Sequence, residues 1–185
     1  QRQMCIRDRP LSFSRLTNIL KSAGTSIGKQ TVINYVRYMT DSYLLFTLQN
    51  YAAKLVEKET SPKYYFMDTG LLGLVLLDCK SAQLENLVAI ELIRRYGTEN
   101  VYFFENNVEI DFYVPSEKLA IQVSMQVLDN MDTKERETRA FVKLNNFILD
   151  SKCIIITNSE EAALNCEGID IDVVPIWKWL LETNM

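Results

Sequence analysis

Residues 101–124 read VYFFENNVEIDFYVPSEKLAIQVS. Three short runs rich in aromatic and β-branched residues, 101–104, 108–114 and 119–123, are separated by Asn106-Asn107 and by Pro115-Ser116. Both separators favour turns, so the stretch predicts three consecutive strands. Side chains alternate along a strand, which places Glu109 and Asp111 on one face of the second run and Gln122 and Ser124 on one face of the third. Gln122 follows Asp111 by eleven residues. Asp111, between Ile110 and Phe112, also fits a plain exposed strand position; its placement with the other polar residues is what favours a site.

The neighbours of this stretch extend the pattern. Residues 81–96 carry Leu84, Leu87, Val88, Leu92 and Ile93 at helical spacing, with Glu85, Glu91, Arg94 and Arg95 off the stripe and Gly97 at the end, which predicts a helix. Residues 133–149 predict a second helix, charged at its start. Residues 152–157 (KCIIIT) predict a buried strand, 171–174 another, and 176–181 a short aromatic helix. The order is therefore α-β-β-β-α-β, followed by a strand and a helix.

Upstream, Leu11, Phe13, Leu16, Ile19 and Leu20 give a helix over 11–23 that stops at Gly24. Ser26 is a candidate N-cap for a second helix over 28–39, whose apolar stripe is Val32, Ile33, Val36 and Met39. Helix, Gly-containing turn, helix is the helix-turn-helix pattern. Runs 43–49 and 63–67 follow as a hairpin, completing an N-terminal winged helix-turn-helix. Away from its apolar stripe the second helix presents Lys29, Gln30, Asn34 and Arg37, with Tyr38 beside them. Lys and Arg supply salt-dependent attraction to phosphates, and Gln, Asn and Arg can pair with base edges in a major groove. Lys54, in the loop of the hairpin, is a further candidate DNA contact. A solvated helix face or a protein-protein module is the bland alternative. The segment GTSIGKQT (24–31) is not a phosphate loop: that motif wants Gly at 23 and Ser or Thr at 30, where this chain has Ala23 and Gln30.

Composition bounds the rest. The chain has 185 residues, 48% hydrophobic and 24% charged, with net charge −4, which is ordinary globular composition. It has no histidine, which removes Ser-His-Asp and Cys-His catalysis and His-ligated metals. Its four cysteines, Cys5, Cys79, Cys153 and Cys166, form no CxxC pair, in keeping with a reducing, cytoplasmic setting. No long uncharged apolar run suggests a membrane span. Residues 1–69 hold ten Lys/Arg against five Asp/Glu, while 70–185 hold ten against nineteen. A basic half beside an acidic half hints at a polyanion-binding unit joined to something else. Residues 1–10 are expected to be an artefact or a disordered start, because 4–9 (MCIRDR) resemble a translated sequencing adapter. The expected organisation is thus 11–69 for the winged helix and 70–185 for the second domain.

The α-β-β-β-α-β order resembles the core of restriction-endonuclease-like folds, giving an overall α/β class. In that superfamily an acidic residue on the second strand and (E/Q)-x-K on the third bind the metal and order the attacking water. The resemblance carries onto Asp111 and Gln122 as catalytic positions, with Glu109 or Glu85 as a second carboxylate and Ser124 where the lysine would stand. Mg²⁺, held by Asp111 and Glu85, is the cofactor implied if the site is active. Without a lysine at 124 the cation near the nucleophile is missing unless Lys134 or Arg136 swings in, so a degenerate site is expected.

The phrases YYFMDTGLL (64–72), LENLVAIELIRR (84–95), VEIDFYV (108–114), IQVS (121–124) and TKERE (133–137), taken with the domain order, resemble the C-terminal region of bacterial and archaeal AAA-type ATP-binding proteins of the domain of unknown function 4143 class. That resemblance covers about residues 11–183 and implies a fragment whose ATPase module, the part that binds ATP, lies elsewhere in the protein. It implies DNA and the missing ATPase module as partners, and no membrane. Three functions are open at this point: a DNA-binding module with a degenerate nuclease-like domain, an active Mg²⁺-dependent DNA nuclease, or a protein-interaction platform that binds no nucleic acid.

Overall fold

The computed structural model describes residues 13–52, 62–75 and 80–182. In chain order these form α1 (Phe13–Ser22), α2 (Lys29–Asp41), β1 (Leu45–Asn50), β2 (Lys63–Phe66), α3 (Gly70–Val75), α4 (Lys80–Tyr96), β3 (Tyr102–Glu105), β4 (Glu109–Val114), β5 (Leu119–Val123), α5 (Met131–Leu144), β6 (Lys152–Thr157), β7 (Ala162–Cys166), β8 (Ile169–Pro175) and α6 (Ile176–Leu181). The class is mixed α/β. One eight-stranded sheet runs in the order β2-β1-β3-β4-β5-β6-β8-β7.

The sheet explains why its middle strands are apolar on both sides. Phe103, Phe112, Val114, Ile121, Ile154 and Ile156 pack with Val88, Ala89 and Leu92 of α4 and Trp179 of α6. On the opposite face, Phe104, Ile110, Tyr113, Ala120 and Ile155 pack with Ala140, Phe141 and Leu144 of α5. A strand covered on both faces reads as an unbroken apolar run, as KCIIIT does. Arg95 joins α4 to α6: its guanidinium donates to the Trp179 carbonyl at 2.8 Å and lies 4.4 Å from the centre of the indole. Glu91, almost buried, accepts from Arg94 and Arg95, and those bonds hold its carboxyl below the usual range despite the burial.

Strands 119–123 and 152–157 have the predicted bounds, and β4 pairs antiparallel with β5 as the acidic reading requires. Elsewhere the structure differs. α2 begins at Lys29 with Gly28 as its N-cap and no side-chain cap, because Ser26 stands two residues too early to reach the first-turn N–H groups. The helix expected to reach 149 ends at Leu144, where the Asn145-Asn146 pair turns the chain. The predicted strand 171–174 extends to Ile169–Pro175 and gains an antiparallel partner, β7. β7 (AALNC) escaped notice because it has few strand-forming residues; the Glu167-Gly168 turn, with φ of +52° and +85°, pairs it with β8.

The hairpin β1–β2 also departs from expectation. Gln49 and Asn50 of β1 pair in parallel with Tyr102 and Phe103 of β3, so hydrogen bonds of one sheet cross the boundary drawn between residues 69 and 70. β2 is tied further by Asn86 of α4, which accepts from the Phe66 N–H at 2.8 Å and donates to the Phe66 carbonyl at 2.9 Å. A buried amide thereby takes the place of a neighbouring strand at that edge.

Candidate functional site

The sequence that places Asp111 hides a bulge. Tyr102 of β3 faces Tyr113 of β4, yet Phe104 faces Ile110: two steps on one strand match three on the other. The extra residue breaks the alternation. Ile110 packs on the α5 side, Phe112 on the α4 side, and Asp111 adjoins Phe112. Bulges re-aim side chains in this way beside many active sites.

Below the bulge, β4 and β5 part, and side chains fill the fork. Gln122 accepts from the Asp111 N–H through Oε1 at 3.0 Å and donates from Nε2 to the Glu109 carbonyl at 3.0 Å. Asp111 Oδ2 accepts from the Val123 N–H at 2.8 Å. Gln122 therefore bridges the two strands through both its oxygen and its nitrogen. Glu85, Glu109, Asp111 and Gln122 line one cleft of about 350 Å³, together with Arg136, Glu137, Arg139, Ala140 and Lys143 of α5. Four expected residues are thus brought together.

Two expected partners are not. Ser124 is nearly buried and donates to the Gln126 carbonyl at 3.0 Å, away from the cleft lining. Lys134 is also absent from the lining, whereas Arg136 lines it and pairs with the buried Glu137 at 2.6 Å. The cation that the sequence reading lacked is instead Lys63, from β2. Its Nζ lies 2.6 Å from Glu109 Oε1 and 5.1 Å from the centre of the Phe103 ring, and its side chain is only 17% exposed. No local spacing connects residue 63 with 109; the one signal was a charge opening an otherwise aromatic strand, KYYF.

Electrostatics follow from this packing. Burial and the nearby Glu85 carboxylate push Asp111 up to about 8, against the pull of Lys63 and the Val123 N–H. Burial opposes the charge on Lys63, but Asp111, Glu109 and Glu85 outweigh it and raise the ammonium above its ordinary value. The Tyr65 hydroxyl, buried and donating to Glu85 at 2.9 Å, is pushed well above the tyrosine range by burial first and by that carboxylate second.

Each of the three expected carboxylates has a partner within the protein. Glu109 is engaged by Lys63, Glu85 by Tyr65 and Asp111 by a backbone N–H. Among the described residues no group of three or more Asp, Glu or Cys is gathered to hold an ion. No helix among the described residues is long and apolar enough to cross a membrane.

A second candidate surface lies on α2. Val32 is buried, while Lys29, Gln30, Asn34 and Arg37 are all exposed. Gln30 donates to Asn34 at 3.3 Å, and Arg37 lies 3.6 Å from Asp41. Tyr35 and Tyr38, 55% and 62% exposed, extend the same helix surface. Lys54 lies outside the described residues.

Residues 8–83 match the model of a domain of unknown function (DUF8612), a span that passes beyond residue 69 into α4. An uncharacterized protein of Methanocaldococcus jannaschii (MJ1544) is 34% identical over 181 residues, covering 92% of this chain. The chain spans about two fifths, 41%, of the length of that curated relative. No solved structure matches.

Proposed function

We propose that this chain is the DNA-binding part of a longer AAA-type ATP-binding protein, resembling the domain of unknown function 4143 class, in which a winged helix-turn-helix leads into a restriction-endonuclease-like core with a degenerate site. One observation carries the reading: Gln30, Asn34 and Arg37, which suit phosphate and base contacts, are exposed together on the side of α2 away from the buried Val32, with Lys29 exposed in the first turn. The greater length of the archaeal relative leaves room for a separate ATPase module. The β4–β5 fork with its acidic cleft supports the nuclease-like comparison, and the engagement of every carboxylate supports degeneracy. The test is titration of fluorescent duplex DNA with the chain and with the double variant Lys29→Ala, Arg37→Ala. The double variant should bind several-fold more weakly; equal affinity overturns the assignment.

A second reading, an active metal-dependent nuclease, is favoured by one feature. Lys63 puts a cation beside Glu109, where (E/Q)-x-K would have put it at residue 124. Cutting of duplex DNA with Mg²⁺ or Mn²⁺, lost in Asp111→Ala, would establish that activity in place of degeneracy.

A further inference from the structure

The cleft has a layered charge distribution that the α2 reading does not use. Its recessed part is acidic, with Glu137 buried and Asp111 half-buried. Its outer wall is one side of α5, where Arg136, Arg139 and Lys143 recur at intervals of three and four residues and so share a face. Arg136 and Arg139 are 69% and 62% exposed, and Lys143 is exposed as well. Ala140, buried between them, also lines the cleft. From Arg136 to Lys143 the helix rises about 10.5 Å. That length lets the cations reach neighbouring phosphates of one DNA strand.

We propose that Arg136, Arg139 and Lys143 form a second DNA contact, gripping phosphates of the backbone across the mouth of the Asp111 cleft. The inference rests on the DNA-binding reading above and adds a surface on the opposite side of the chain's sequence from α2. Both arginines are paired with carboxylates of their own helix. Glu137 holds Arg136, and Glu135 holds Arg139 at 2.7 Å. The Glu135–Arg139 pair is exposed on both sides, 58% and 62%, so water screens it and a phosphate can replace the carboxylate at little cost. The Arg136–Glu137 pair is different, since removing Arg136 would strand a buried carboxylate. The contact is with phosphates alone, so it adds affinity without sequence preference.

The experiment is fluorescence anisotropy of a duplex of about twenty base pairs with the full chain, over a range of salt. Arg139→Ala, Lys143→Ala leaves Arg136 in place; it should raise Kd several-fold and reduce the slope of log K against log salt by about 1.8. The charge reversal Arg139→Glu, Lys143→Glu should weaken binding further, while Lys118→Glu, an exposed position away from the cleft lining, should not. Circular dichroism confirms the fold of each variant. If the reversal binds as tightly as the unaltered chain while Lys29→Ala, Arg37→Ala weakens binding, the second contact is wrong and the α2 reading stands. If neither pair of changes matters, both are wrong. Equal loss in Lys118→Glu would reduce the effect to net charge and overturn the proposal.

Discussion

Lys63 Nζ donates to Glu109 Oε1 across 46 residues of sequence, joining β2 to β4 at 2.6 Å. The bond makes the acidic cleft a property of both halves of the chain, because β2 belongs to the N-terminal hairpin and Glu109 to the strands after residue 100. Lys63→Met keeps the stem of the side chain over Phe103 but leaves Glu109 without its cation. Glu109 is 43% exposed, so water takes over part of the bond, and urea unfolding should show a loss of about 0.5–1.5 kcal/mol with an unchanged m value.

Asn86 provides a second link between the same units, with both halves of its amide bonded to Phe66. In Asn86→Ala the edge of β2 loses a donor and an acceptor at once. The expected cost is about 1–3 kcal/mol. Hydrogen exchange should place the added opening in β2 rather than in β6.

How much of this was legible in the sequence depended on how local the cause was. Strands 119–123 and 152–157 and the long helix ending at Gly97 follow from periodicity and turn residues alone. Glu109, Asp111 and Gln122 line one cleft because β4 and β5 are neighbours, and Glu85 joins them from α4. The bulge at Asp111 was not legible: Ile110, Asp111 and Phe112 read as simple alternation, and the extra residue shows only against β3. Lys63 was missed for the same reason, since a partner 46 residues away leaves no spacing to read. Ser124 was expected at the lysine position, yet its hydroxyl serves the local turn at Gln126.

Asp111 gives a pH signature. Its carboxyl is raised to about 8 in the folded protein from an ordinary value of 3.8. The folded state therefore holds a proton that the unfolded state releases, and stability falls as pH rises from about 4 to about 8. Asp111→Asn removes that titration while its side-chain oxygen can still accept from Val123. The variant should show a flatter stability profile and, near pH 8, exceed the unaltered chain by roughly 2–5 kcal/mol. A profile as steep as that of the unaltered chain would contradict the assignment.

The proposed degeneracy of the cleft makes its own prediction. With Glu109 held by Lys63 and Glu85 by Tyr65, duplex DNA incubated with the chain and either Mg²⁺ or Mn²⁺ should remain uncut on a denaturing gel. Cleavage that disappears in Asp111→Ala would replace degeneracy with catalysis.

The salt dependence of duplex DNA binding tests the central claim most directly. For the unaltered chain, log K against log salt should fall linearly, and Lys29→Ala, Arg37→Ala should reduce the slope by about 1.8, or about 0.9 per lost phosphate contact. A chain that shows no salt-dependent binding, or a double variant whose slope and affinity are unchanged, would contradict it.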